Sequence, residues 1–302
     1  MRNLPRKITA GLFSALSCLL VLGLQYLGIH SVPSSALVTF LLVATVSTLE
    51  MGGACGPAIM CGSFVGMSFL PDLLQPGCSL MAREGMLLAL LLSFGVGMVY
   101  FCIHRLSERY PDMMLNGFGG KLGATALLAT LLCTLAAREF LGMPCLFPSF
   151  SRSDTLSRLH DNLFSIVTIY SISASVAGAV VPLMVQGKGI YKLSANGRVG
   201  VTALWGLCVG GILLLIPLHG SALAYSWYMG TFVSMTALEV ISPIPFLMVA
   251  GALAPVFLAL LRIPFHGFGG VLGMAAFLAV IITYHLEPLR LHLRNRLLPD
   301  RT

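Results

Sequence analysis

The chain has 302 residues, of which 57% are apolar and only 10% charged, and its mean hydropathy is +0.91. Soluble domains carry roughly 45–50% apolar and about 25% charged residues. The 18 basic and 11 acidic side chains cannot cover a water-soluble surface, which also excludes a disordered chain, a coiled coil, a nucleic-acid module and a secreted disulfide scaffold. The composition predicts an all-α, polytopic integral membrane protein, because backbone polar groups in lipid must pair within each segment.

Ten apolar spans are predicted in chain order, most of them long enough to cross a hydrocarbon core of roughly 30 Å as a helix. We place them at 8–29, 35–51, 54–71, 84–103, 120–142, 162–186, 199–217, 220–237, 243–261 and 268–286. Only two residues separate the second span from the third and the seventh from the eighth, which predicts tight hairpins or helices broken inside the membrane. The rival interpretation makes each hairpin one re-entrant unit and leaves eight spans.

The net charge of +7 is best explained by orientation in the membrane. With a cytoplasmic N-terminus, ten spans put 13 of the 18 Lys and Arg residues on the cytoplasmic side, whereas eight spans put 11 there. Since cytoplasmic loops carry the excess of positive charge, the count favours ten spans. We therefore predict a multi-pass protein of the plasma (inner) membrane with both termini cytoplasmic. The first span, at 8–29, is longer than the apolar core of a usual signal peptide, so we predict an uncleaved first helix.

Two motifs recur in the same order in the two halves of the chain. GSFVGMS at 62–68 returns as GTFVSMT at 230–236, and NGFGGKLG at 116–123 returns as HGFGGVLG at 266–273. A weaker echo pairs Leu12-Phe13-Ser14 with Leu163-Phe164-Ser165. These matches predict an internal duplication. The predicted units are a first five-helix repeat at 1–143, an exterior connector at 144–161, a second repeat at 162–286 and a basic cytoplasmic tail at 287–302.

An odd number of spans per repeat makes the second repeat enter from the opposite side of the membrane. The repeats are therefore predicted to be inverted, with the two GFGG motifs on opposite faces, whereas eight spans would give parallel repeats. This architecture, in length and topology, resembles ten-helix carriers such as the drug/metabolite transporters and the bile-acid/sodium symporters. The resemblance implies alternating access between two inverted halves.

The first motif pair supplies hydroxyl groups that are candidates for binding a solute near the membrane midplane. They belong to Ser63, Ser68, Thr231, Ser234 and Thr236. Small residues at this spacing also permit close helix packing, which is the alternative interpretation. Glu50 and Glu239 are candidate coupling residues because a carboxylate in the membrane is costly, although both can equally lie at the interface.

The second motif pair supplies glycines immediately before the last span of each repeat. A helix start with free N–H groups favours anions, and one copy adds a lysine while a histidine precedes the other. The candidate residues for this anion-binding or helix-start loop are Gly117, Gly119, Gly120, Lys121, His266, Gly267, Gly269 and Gly270. The alternative is a tight helix start packed against a neighbouring helix.

These features together predict a secondary transporter that moves a small solute, with H⁺ or Na⁺ as candidate coupling ions. The sequence has no HExxH, GxSxG or Walker motif, so we predict no enzyme activity, catalytic residue, metal site or cofactor. The expected partners are the lipid bilayer and the solute, with no nucleic acid. The alternatives are a channel or non-catalytic subunit of an envelope complex and, third, a membrane-embedded lipid-processing enzyme.

Overall fold

The computed structural model describes residues 4–51, 53–74, 83–110, 117–143, 168–186, 193–237, 240 and 244–297. Within these ranges, side chains are described from residue 8 to residue 286. These residues form α-helices and connecting turns, and no strand occurs among them. The helices are α1 (Leu4–Tyr26), α2 (Ser31–Thr48), α3 (Cys55–Gly66), α4 (Leu70–Leu73), α5 (Arg83–Arg109), α6 (Lys121–Leu141), α7 (Ile169–Gln186), α8 (Ala195–Leu213), α9 (Gly220–Ser234), α10 (Ile244–Arg262) and α11 (Val271–Leu297).

The prediction of a helical membrane protein is confirmed. Five helical segments are long and apolar enough to cross a membrane, namely Ile8–Tyr26, Ser31–Thr48, Arg83–Arg109, Lys121–Leu141 and Ile244–Arg262. Three apolar segments are shorter, namely Cys55–Gly66, Ile169–Val185 and Val271–Leu286. The predicted connector at 144–161 and the beginning of the sixth predicted span lie outside the described residues.

Two predicted spans end earlier than expected. The third span was expected to reach residue 71, but α3 ends at Gly66 and an extended segment leads into the short α4. The eighth was expected to reach residue 237, but α9 ends at Ser234. At a rise of about 1.5 Å per residue, helices of this length measure roughly 18 and 22 Å and cannot cross a 30 Å core alone. Both helices therefore end inside the bundle.

The helices that follow the second motif pair start where glycine is required. The residues before α6 and α11 are Gly120 and Gly270, with φ of +80° and +87°. Such angles are readily adopted only by glycine, because other residues have a Cβ that clashes with the backbone. The predicted starts of the fifth and tenth spans agree with these positions to within a few residues.

Corresponding helices of the two halves have corresponding neighbours. Helix α1, the first in its half, packs on α3 and α5. In the same way, α7 packs on α9 and α10. The closest approaches occur at glycines of the first motif pair: a Cβ at Gly62 would lie 1.9 Å from the Ser14 carbonyl oxygen, and one at Gly230 would lie 2.1 Å from that of Ser175. These contacts confirm that small residues of the motif allow close helix packing.

Candidate functional site

An aromatic contact joins α3 and α9 at the centre of the bundle. The ring centroids of Phe64 and Phe232 are 4.7 Å apart, and the Tyr228 ring lies 4.5 Å from Phe232 in the same edge-to-face manner. All three side chains are at most 2% exposed. Phe64 and Phe232 occupy the same position in the first motif pair, so the repeated motif supplies both sides of this contact.

Cavity 1 lies on one side of the aromatic contact and has a volume of about 410 Å³. Phe64 and Phe232 contribute to its wall, which is completed by α5, by the beginning of α8 and by residues 117–122. Three basic side chains line it: His104 from α5, Lys121 from α6 and Arg198 from α8. Lys121 and Arg198 are half-buried.

Cavity 2 has a volume of about 310 Å³ and is lined by Phe64, Asp72, the ends of α1 and α10, the beginning of α2 and residues 265–268 and 270–273. Its basic side chains are Arg262, whose guanidinium lies 5.1 Å from the centre of the Tyr225 ring, and His266. The His266 Nδ1 is 3.1 Å from the Asp72 carboxylate. The Tyr225 hydroxyl is also 2.7 Å from the Ser31 hydroxyl.

The two cavities lie at opposite ends of α3 and of α9. Along α3, cavity 1 is lined by residues from Pro57 to Phe64 and cavity 2 by Phe64 and the following Met67. Along α9 the order is reversed, since cavity 2 is lined by Tyr225 near its beginning and cavity 1 by Phe232 near its end. Phe64 lines both cavities, whereas Phe232 lines cavity 1 alone, so the Phe64 side chain is a wall that the two cavities share.

The two motif pairs bind each other across the halves. The Gly119 N–H donates to the Thr236 hydroxyl at 3.2 Å, and the Gly269 N–H donates to the Ser68 hydroxyl at 2.9 Å. Next to these bonds, the Ala237 N–H donates to the Gly117 carbonyl at 2.8 Å, and the Phe69 N–H donates to the Gly267 carbonyl at 2.9 Å. Each GFGG loop is thus anchored by the first motif of the other half.

Helices α6 and α11 cross at their first turns. A Cβ at Gly123 would lie 2.2 Å from the Gly273 Cα, so the two backbones are in direct contact. On one side of this point Gly120 contacts Phe277, and on the other side Gly270 contacts Leu127. The crossing is therefore antiparallel, and the two GFGG loops lie on opposite sides of it.

The predicted hydroxyl residues are all buried, and none of them is among the residues that line the two cavities. The Ser63 hydroxyl accepts from Thr39 at 2.9 Å and from Ser35 at 3.1 Å, while those of Thr231 and Ser234 donate to backbone carbonyls one turn earlier. The structure thus assigns hydrogen bonds within the protein to these groups. Their role in binding a solute stays a prediction.

Of the two predicted coupling carboxylates, Glu50 is not among the residues that line the two cavities. Glu50 is exposed in the turn after α2, where its φ of +52° is unusual for a residue other than glycine. Glu239 lies outside the described residues. Of the charged or ionisable residues in the predicted helix-start loops, Lys121 lines cavity 1 and His266 lines cavity 2.

Sequence reasoning missed several residues of the cavities. Arg198 and Arg262 were interpreted only as topology-determining charges at the ends of spans, although they line the cavities. Phe64 and Phe232 lie inside the recognised motif but were passed over in favour of its hydroxyl and small residues. The identity of these two aromatics at equivalent positions was a signal that could have identified them.

No group of three or more His, Cys, Asp or Glu side chains within the described residues is arranged to hold a metal ion. No family model, curated protein or solved structure matches the chain.

Proposed function

We propose that this protein is a secondary transporter built from two inverted five-helix repeats, 1–143 and 162–286, that exposes a small-solute site alternately to the two sides of the membrane. The observation that carries the proposal is the pair of cavities at opposite ends of α3 and α9, which share the Phe64 side chain as a wall, with Phe232 packed against it from α9. A carrier needs such a partition, because an open connection between the cavities would let solute and ions leak.

The inverted relation is supported by the reciprocity of the contacts. Gly119 bonds Thr236 just as Gly269 bonds Ser68, with donor and acceptor halves exchanged. The antiparallel crossing of α6 and α11 at Gly123 and Gly273 is what a two-fold axis in the membrane plane passing between these glycines would produce. Parallel repeats would instead place the two GFGG loops at the same side of the bundle.

This arrangement suggests how the cavities exchange. Each GFGG loop forms part of one cavity wall and is anchored to the C-terminal end of α3 or α9 in the other half. The loop at 117–120 therefore moves with the end of α9 and Phe232, and the loop at 267–270 moves with the end of α3 and Phe64. A rocking of α3 against α9 narrows one cavity as it widens the other. Glu50 and Glu239 stay the candidate residues for coupling to H⁺ or Na⁺.

The positive-inside count assigns cavity 1 to the cytoplasmic face and cavity 2 to the exterior. Thiol accessibility tests this assignment without knowledge of the solute. In a variant whose eight cysteines are replaced by alanine, Ser107→Cys introduces a thiol in cavity 1 and Met67→Cys one in cavity 2. Leu218→Cys is a matched control, since Leu218 is 98% exposed in the hairpin assigned to the exterior.

We expect a membrane-impermeant maleimide to label Met67→Cys and Leu218→Cys in intact cells and Ser107→Cys only in inverted vesicles. Labelling of both cavity thiols from one face would refute the two-sided arrangement. A carrier and a channel are then separated in planar bilayers, where a carrier gives no unitary conductance steps and a channel gives them.

A further inference from the structure

We infer that cavity 2 binds a small zwitterion, with Arg262 as the binding residue for its anionic group and Asp72 as the binding residue for its ammonium group. This site deepens the proposed transport function, on which it rests, because it assigns the chemical class of the solute. Two kinds of source carry both charges close together, a free amino acid and the headgroup of phosphatidylethanolamine. They are separated by adding each to the purified protein.

Arg262, the last residue of α10, is a partly buried cation that has no ion pair with any described residue. Its guanidinium lies 5.1 Å from the centre of the Tyr225 ring, and no described group accepts a hydrogen bond from it. The face of the ring attracts the positive charge but offers no oxygen to the guanidinium N–H groups. These planar donors suit a carboxylate or a phosphate, so they indicate the anionic group of a ligand.

The Tyr225 ring is itself held in place from the other half of the chain. Its hydroxyl is 2.7 Å from the Ser31 hydroxyl at the beginning of α2, and the centre of the His30 ring lies 5.1 Å from its own. The surface on which the guanidinium lies is therefore fixed before any ligand binds. Such preorganisation lowers the cost of ordering a long side chain on binding.

Asp72 supplies the opposite charge in the same cavity. One of its carboxylate oxygens is 3.1 Å from the His266 Nδ1, and its side chain is 31% exposed. A neutral imidazole can donate through Nδ1 as a protonated one does, so in either case the carboxylate is able to accept a further hydrogen bond. Asp72 and Arg262 line one cavity but form no ion pair with each other.

Two opposite charges that share a cavity without pairing leave room for a ligand that carries both. Asp72 would repel a ligand with only negative charge, and Arg262 one with only positive charge, whereas a zwitterion pairs with both. The two residues also come from different halves, since α4 follows α3 in the first half and α10 belongs to the second. A ligand bound by both would therefore lie between the proposed repeats, as solutes do in carriers built from inverted repeats.

The second half of the chain shows that packing does not require a carboxylate at the position of Asp72. In the register of the first motif pair, its counterpart is Val240. Both side chains cover a glycine of a GFGG motif: a Cβ at Gly267 would lie 2.5 Å from the Asp72 Cβ, and one at Gly117 would lie 3.2 Å from the Val240 Cγ2. Valine fills this position in one half, so the charge of Asp72 is a property of cavity 2 that packing does not need.

The dimensions of cavity 2 suit a small molecule. Its volume of about 310 Å³ is at the lower end of the range of about 300–1,000 Å³ found for ligand pockets. Leu258, Phe265 and Leu272 belong to the same lining and provide apolar surface. A zwitterion with a short apolar side chain would therefore place its charges against Arg262 and Asp72 and its side chain against these residues.

The test measures thermal unfolding of the purified full-length protein in neutral detergent at fixed pH and ionic strength, followed by the fluorescence of Trp205 and Trp227. The zwitterions are L-alanine, L-leucine and phosphatidylethanolamine in mixed micelles. Each amino acid is compared with the acid that lacks its ammonium group and the amine that lacks its carboxylate. These are propionate and ethylamine for alanine, and 4-methylpentanoate and isopentylamine for leucine. Phosphatidylglycerol is the lipid without an ammonium group.

The variants are Asp72→Asn, which keeps an acceptor for His266, and Arg262→Gln. Glu139→Gln and Arg105→Gln are the matched controls, because both residues are exposed and neither lines the cavity. We expect at least one zwitterion to raise the unfolding temperature of the native protein in a saturable manner. Its apparent affinity should exceed that of each single-charge counterpart by about tenfold or more, as expected for a charge-assisted hydrogen bond.

The variants should change the preference in a direction that depends on the charge removed. Asp72→Asn should abolish the preference for the zwitterion over its carboxylic acid or, for the lipid, over phosphatidylglycerol, and Arg262→Gln should abolish the preference over the amine. The two control variants should stay within about twofold of native, as for exposed charges. Saturation by phosphatidylethanolamine and not by either amino acid would identify the source as a lipid headgroup and support the site.

Two results would overturn the zwitterion site. One is that no zwitterion stabilises the native protein more than its single-charge counterparts do, which is decided without any variant. The other is that Asp72→Asn and Arg262→Gln keep the native preference as fully as the control variants do. The thiol labelling described above separates this failure from a failure of the transport proposal. Cavities that open to opposite faces without a preference for zwitterions would leave the carrier and refute the site, and zwitterion binding with both cavities open to one face would do the reverse.

Discussion

Replacement of Gly123 by alanine should destabilise the protein through the crossing of α6 and α11. The added methyl group would lie 2.2 Å from the Gly273 Cα, whereas carbon atoms in contact prefer about 3.5–4.0 Å. The two helices must therefore separate by about 1.5 Å at a backbone-to-backbone contact that has no flexible side chain to yield. Overpacking of this kind costs roughly 1–3 kcal/mol, which outweighs the gain of about 1 kcal/mol in helix propensity when alanine replaces glycine.

The control for Gly123→Ala is Gly23→Ala, since Gly23 is exposed near the end of α1 and a Cβ there meets nothing within 4 Å. Thermal unfolding in detergent should show a lower midpoint for Gly123→Ala and an unchanged or higher one for Gly23→Ala. Gly273→Ala should resemble Gly123→Ala, because its Cβ would lie 2.5 Å from the Gly123 Cα. Equal midpoints for Gly123→Ala and Gly23→Ala would show that the crossing is not a tight contact and would refute the reasoning.

Two further substitutions test polar contacts. Ser68→Ala removes the acceptor of the buried Gly269 N–H, 2.9 Å away, and should lower the free energy of unfolding, measured with a chemical denaturant, by about 1–3 kcal/mol. The control Thr45→Val removes an exposed hydroxyl and should change this free energy little. Equal losses in both variants would contradict a structural role for the Ser68 bond. Burial lowers the pKa of His30, whose Nδ1 accepts from the Val32 N–H at the start of α2. The unfolded chain therefore binds the proton more readily, and the His30 contribution to stability is complete above about pH 6.5 and is lost as the pH falls through the lowered pKa. His30→Asn keeps a capping acceptor that does not titrate, so its unfolding midpoint should fall less than that of the native protein between pH 7.5 and 5, and parallel pH profiles would exclude this origin.

The general fold was accessible from the sequence because lipid leaves few alternatives. Apolar stretches bounded by charges predict helices, and the starts of α6 and α11 followed from the GFGG motifs, whose glycines adopt positive φ. The early ends of α3 and α9 could not be predicted. Apolar residues continue beyond Gly66, so local composition does not indicate that α3 ends there. The segment after α3 is held by the hydrogen bond from the Gly269 N–H to the Ser68 hydroxyl, and these residues are 201 positions apart in the sequence.

The candidate site was predicted only in part. The motif repeats lie in segments that contribute to the cavity walls, but the hydroxyl residues within them, such as Ser63 and Thr231, bond inside the protein. The cavity walls instead depend on Phe64, Arg198 and Arg262. A terminal arginine looks the same in sequence whether it serves as a membrane anchor or faces a cavity, because the difference lies in which neighbouring helices surround it.

The hydrogen bonds between the GFGG loops and the first motifs have a consequence for biosynthesis. Their partners are separated by 117 and 201 residues along the chain. When the first half leaves the ribosome, the Gly119 N–H has no Thr236 to bind and the Ser68 hydroxyl has no Gly269. The first half therefore enters the membrane before these two hydrogen bonds can form. A chain that stopped after its first half would therefore leave the Gly119 N–H and the Ser68 hydroxyl without these partners.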